Sequence, residues 1–88
     1  MDLQVLQTLR HIATKDNSGA TTYEGRRVLR VAGDQERCVY VRTQAAMQGS
    51  TGSLWDLLQV MRAFRRLKEA SLIFAHPDGG VYWVVMDD

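Results

Sequence analysis

Residues 20–43 run Ala20-Thr21-Thr22-Tyr23-Glu24-Gly25-Arg26-Arg27-Val28-Leu29-Arg30-Val31-Ala32-Gly33-Asp34-Gln35-Glu36-Arg37-Cys38-Val39-Tyr40-Val41-Arg42-Thr43. Arg27–Ala32 alternates and is rich in Val and Leu, the pattern of a half-buried strand. Ala20–Tyr23 supplies a short strand before it, and Glu24-Gly25 is a tight two-residue link. Gly33-Asp34-Gln35-Glu36 forms the next turn, after which Arg37–Thr43 sets Val39 and Val41 on one face of a third strand. A helix over residues 22–32 competes, because Thr21 and Glu24 have capping-box spacing. Gly25 would then sit in its first turn, and Val28 and Val31 prefer strands. A three-strand meander is therefore expected.

On the N-terminal side, Leu3, Leu6, Leu9 and Ile12 recur every three residues, and Val5 and Ala13 widen the stripe. This spacing predicts a helix from Asp2 to about Lys15, capped by Asp2 and stopped by Asp16-Asn17-Ser18-Gly19. On the C-terminal side, residues 44–52 read as a loop in which Ala45-Ala46-Met47 can add a helical turn. Ser53 and Asp56 then have capping-box spacing and open a second helix that runs to about Ala70. Leu54, Leu57, Leu58, Met61 and Phe64 give it one broad apolar face, joined by Val60 and Leu67. A hairpin closes the chain, with strands Ser71–Ala75 and Val81–Met86 around a turn at Pro77-Asp78-Gly79. Both faces of that hairpin are apolar, as in a central strand pair or one covered by a partner.

The expected fold is α+β: a two-layer structure of order α-βββ-α-ββ, with two helices packed on a mostly antiparallel sheet. Its 88 residues fit a single domain, 1–88, too small for a deep substrate cavity. Eleven basic and ten acidic side chains leave a net charge of +1, so no strong global field draws the protein to nucleic acid or membrane. No apolar run is long enough to cross a bilayer, and the first residues lack the order of a secretory signal. The single cysteine, Cys38, forbids an internal disulfide and fits a reducing compartment. A cytoplasmic location is expected.

The candidates for catalysis are weak. His11 and His76 are the only histidines, and neither has a ligand partner at helical spacing. Beside Asp78, His76 reads as part of a turn. Cys38 has no base or electropositive pocket that the sequence locates. Gly49-Ser50-Thr51-Gly52 lacks the lysine of a phosphate-cradling loop. A non-enzymatic protein without cofactor or metal is the expectation.

Two surfaces carry binding character instead. Trp55, Arg62 and Arg66 form a mixed aromatic and basic stripe on the second helix, of the residue types enriched where proteins meet. Tyr82, Val84 and Met86 occupy the second face of the last strand and are the expected contact of a homodimer. The function these imply is that of a small binding or regulatory protein, an adaptor or an inhibitor of a larger assembly, acting on another protein. The alternative is a nucleic-acid-binding regulator. In the meander, Arg26 and Arg30 face away from Leu29 and Val31, and Tyr40 and Arg42 share that face from the third strand. Arginines there would meet phosphates while the ring meets a base.

The last helix and hairpin resemble the end of a winged-helix domain over roughly 35 residues, with Arg66-Leu67-Lys68-Glu69-Ala70 leading into the wing. A recognisable helix–turn–helix before them is missing. The element order is also similar to that of small two-layer secretion chaperones, a likeness of topology from which no function follows.

Overall fold

The computed structural model describes residues 2–16, 20–31, 35–51, 56–75 and 82–86. Three helices and four strands follow in the order α1 (Asp2–Asp16), β1 (Thr21–Tyr23), β2 (Arg26–Val31), α2 (Glu36–Thr51), α3 (Leu57–Glu69), β3 (Ile73–Ala75) and β4 (Tyr82–Val85). The class is α+β, as expected. The helix expected at the N-terminus, the strands either side of Glu24-Gly25 and the closing strand pair are all present. The turn expected at Pro77-Asp78-Gly79, with His76, lies outside the described residues.

The third strand of the meander is absent, and α2 takes its place, absorbing Arg37–Thr43 and most of the expected loop. The buried residues show why. Val39, Tyr40, Thr43 and Met47 lie in the interior, whereas Val41 is 47% exposed. Spacings of one, four and eight residues from Val39 describe a helical stripe and not a strand face. Thr43 keeps its buried hydroxyl satisfied by donating to the Val39 carbonyl one turn back, at 2.7 Å. Full burial of Met47 adds apolar stabilisation of about 1.5–3 kcal/mol, enough to override the strand preference of Val39 and Val41.

The start of α3 also differs. Its N-cap is Asp56, whose carboxylate accepts from the Gln59 amide at 2.8 Å while the Gln59 side chain accepts from the Asp56 amide at 3.0 Å. The reciprocal pair is thus Asp56 with Gln59, four residues of chain that satisfy the capping box as well as Ser53 with Asp56 would. The helix buries Val60, Ala63, Phe64 and Leu67. This phase differs from the expected one, and it leaves Leu58 and Met61 outside. At its far end, the Ser71 amide donates to the Lys68 carbonyl and the Leu72 amide to the Leu67 carbonyl, both at 3.0 Å. This is the Schellman closure, with Ser71 at φ 59° where glycine is usual.

The strands form one antiparallel sheet in the order β1-β2-β4-β3. Thr21 pairs with Val28 and Tyr23 with Arg26 across a two-residue turn, in which Glu24 and Gly25 have φ of 52° and 75°. Positive φ at both positions is what a type I′ hairpin turn requires. Val28 lies opposite Val85 and Val31 opposite Tyr82, while Ile73 lies opposite Val84 and Phe74 opposite Trp83. Strand β4 is therefore central, hydrogen-bonded on both sides.

Alternation along the strands gives the sheet two different faces. Leu29, Val31, Ile73, Tyr82, Val84 and Met86 meet the helices, in one cluster with Leu6, Leu9 and Ile12 of α1, Val39, Tyr40 and Met47 of α2, and Phe64 and Leu67 of α3. Tyr23, Arg26, Val28, Arg30, Phe74, Trp83 and Val85 lie on the other face. Among the described residues, no helix is long and apolar enough to cross a membrane.

Candidate functional site

The phase of α3 builds the most distinctive surface. Once Val60, Ala63, Phe64 and Leu67 turn inward, the residues at positions 58, 61, 62 and 65 follow one outward line at helical spacing. Leu58 is 53% and Met61 41% exposed. Arg62 and Arg65 lie beside them, and Lys68 continues the line one turn on. With Tyr40 of α2 these five side chains line a groove of about 360 Å³ between the two helices. Among the described residues, neither Arg62 nor Arg65 has an ion-pair partner.

A chain of hydrogen bonds fixes the wall of this groove. The Tyr40 hydroxyl donates to the Glu36 carboxylate one turn back. Its oxygen therefore accepts from Tyr82, whose hydroxyl lies 3.1 Å away. The Lys68 ammonium is 3.5 Å from that hydroxyl oxygen and 5.3 Å from the centre of the Tyr82 ring. The donors run in one direction, from cation to carboxylate. Hydrogen bonding from Tyr40 holds the Glu36 carboxyl below its ordinary range against the opposing effect of burial, with help from Tyr82 and the Lys68 charge. Burial first, and then the bond to Glu36, pushes the Tyr40 phenol up to about 12. Burial also raises Tyr82. The Tyr40 ring stands edge-on to Phe64 at 4.8 Å, so Tyr40 is part of the core and shows only its rim to the groove.

The sequence-derived site residues are dispersed by this fold. Trp55 lies outside the described residues. Arg62 lines the groove. Arg66 points elsewhere and clasps Asp2 at the start of α1 with two bonds of 2.8 Å, an ion pair that draws the Asp2 carboxyl down. Tyr82 and Val84 are buried against the helices, and Met86 is half-buried against the same core. They form no outward contact face, because the helices cover that side of β4. The Arg26, Arg30, Tyr40 and Arg42 constellation is divided. Arg26 and Arg30 do share the sheet face away from the helices, but Tyr40 and Arg42 belong to α2. There Arg42 makes a two-pronged pair with Asp16, one bond being 2.9 Å, which joins α2 to the end of α1.

Sequence reasoning put Leu58 and Met61 on the buried face and did not single out Arg65 or Lys68 for a site, although aliphatics flanked by cations at that spacing were visible. It also missed a cluster of rings on the open sheet face. The Tyr23 ring stands 4.8 Å from Phe74 and 4.5 Å from Trp83, near-perpendicular to both. Beneath that face, Val28 and Val85 are completely buried yet belong to no helix-side cluster. Cys38 is an exposed thiol on α2. Among the described residues, no group of His, Cys, Asp and Glu is arranged to hold a metal ion.

No family model, curated protein or solved structure matches the chain.

Proposed function

We propose that the protein is a non-catalytic binding module that acts through protein–protein contact, as an adaptor or inhibitor of a larger assembly. Its α2–α3 groove takes an acidic, amphipathic segment of the partner. The observation that carries this reading is the joint placement of exposed Leu58 and Met61 with Arg62, Arg65 and Lys68 along one groove. Methionine and arginine are enriched at protein interfaces. The aliphatic pair gives an apolar anchor, and the three cations favour carboxylates around it. Tyr82 and Val84 are buried against the helices, so the single chain is the binding unit.

The test is a fluorescence-anisotropy titration with a synthetic helical peptide carrying Leu on one face and Glu beside it. A scrambled peptide and a Lys-for-Glu peptide serve as controls. The acidic amphipathic peptide binds, and Arg62→Glu with Arg65→Glu lowers its affinity by roughly tenfold or more. Leu58→Asp does the same by removing the apolar anchor. Equal binding of the Lys-bearing peptide, or indifference to these substitutions, contradicts the reading.

A further inference from the structure

The sheet face away from the helices is a second surface, and its chemistry differs from that of the groove. It combines three half-buried rings, Tyr23, Phe74 and Trp83, with Arg26 and the exposed Arg30. The strand positions described on this face include no carboxylate. Phe74 and Trp83 are register partners on β3 and β4, and Arg30 is the register partner of Trp83 on β2. A positive side chain thus sits one strand away from the ring pair, and the rings keep part of their surface at solvent.

We infer that this face binds single-stranded nucleic acid, its bases stacking on Trp83 and Phe74 while Arg30 and Arg26 meet the phosphates. Unpaired bases find flat apolar partners in aromatic rings on a sheet, and every base has such a face, so the recognition is tolerant of sequence. A duplex keeps its bases stacked inside and offers these rings nothing. Arg26 already donates to the Ser71 carbonyl at 2.9 Å, and Arg30 also has an interaction within the protein, but a guanidinium has five N–H donors and can meet a phosphate as well. A second copy of the chain suits the face less well, since pairing it with itself sets arginines near arginines with no acid from either strand set. The overall charge of +1 does not oppose this, because the arginines act locally, within about one Debye length.

The experiment uses the full chain with Trp55→Phe, which leaves Trp83 as the only tryptophan. It is titrated with labelled oligo-dT and oligo-U of a dozen or so nucleotides, and with a DNA duplex of the same length, each at two salt concentrations. Trp83 emission is quenched as a single strand binds, and affinity falls as salt rises. Arg30→Gln weakens binding and makes the salt dependence shallower by roughly one phosphate contact. Phe74→Leu, which keeps an apolar side chain, lowers affinity by roughly fivefold or more through lost stacking. Near-ultraviolet circular dichroism confirms that each variant is folded. Comparison of the dT and U arms shows whether a 2′-hydroxyl adds to the shared chemistry. Arg62→Glu with Arg65→Glu leaves oligonucleotide binding unchanged, which separates this surface from the groove. Absence of binding at about 100 µM protein, the weak end of ordinary non-specific affinity, overturns the inference. So does equal binding of the duplex, insensitivity to Arg30→Gln and Phe74→Leu together, or a dimer that dissolves on Phe74→Leu.

Discussion

The hydroxyl groups of Tyr40 and Tyr82 lie 3.1 Å apart, joining α2 to the central strand at the back of the groove. With Tyr40 donating to Glu36, Tyr82 must donate to Tyr40. Tyr40→Phe leaves the Tyr82 hydroxyl, in a residue 1% exposed, without that acceptor. It should cost about 1–3 kcal/mol in urea unfolding. Tyr82→Phe keeps the Tyr40–Glu36 bond and should cost less, near 1 kcal/mol. The double variant should be less destabilised than the sum of the two, since both remove the same bond. Strict additivity would show that the two hydroxyls are not coupled.

The same network sets the response to pH. Tyr40 has its phenol raised from 10.0 to about 12, so its neutral form is favoured in the folded chain. The associated stability is complete below pH 10 and is lost as pH climbs from 10 to 12. Glu36 and Asp2 are shifted the other way, and their contribution is present above the ordinary carboxyl range and lost as pH falls through their lowered values. Thermal unfolding followed across pH should show decline at both extremes. Tyr40→Phe should flatten the alkaline limb; an unchanged limb would place its cause elsewhere.

Helix α2 is the element on which sequence and structure part, and two truncations test it. Met47→Ala should cost about 2–5 kcal/mol, as for a fully buried side chain. Val41→Ala should stay within about 0.5 kcal/mol, because its side chain faces solvent. If Val41 proved the costly position, the strand reading of Arg37–Thr43 would be restored.

Why that stretch misleads is physical. Val39 and Val41 have β-branched side chains and alternate with Cys38, Tyr40 and Arg42, a pattern that a strand and a helix share over five residues. Only the extension to Thr43 and Met47 reveals the longer period. The Glu24-Gly25 turn, by contrast, is legible because both residues must adopt positive φ and one of them is glycine. Alternation in the last strand separates Tyr82 and Val84 from Trp83 and Val85 correctly, but local pattern does not say which of two apolar faces the helices cover. The groove is hidden for a related reason. Phasing α3 from Leu54 puts Leu58 and Met61 inside, whereas the packing is set from Val60 and Phe64.

Ser71 closes α3 in the left-handed region, which costs a residue with a β-carbon about 1 kcal/mol relative to glycine. Ser71→Gly should stabilise the protein by about 0.5–1 kcal/mol and raise Tm by a few degrees. The Arg26 guanidinium still donates to position 71, since the acceptor there is the backbone carbonyl and not the serine side chain. A fall in Tm would show that the serine side chain contributes something the closure geometry does not reveal.

The groove on α3 is tested most directly by amide chemical-shift mapping during titration with the acidic amphipathic peptide. Shifts should concentrate at Tyr40, Leu58, Met61, Arg62, Arg65 and Lys68 and leave Tyr23, Arg30 and Phe74 in place. Shifts centred on the sheet face, or none at saturating peptide, would contradict the assignment of the groove as the protein-binding site.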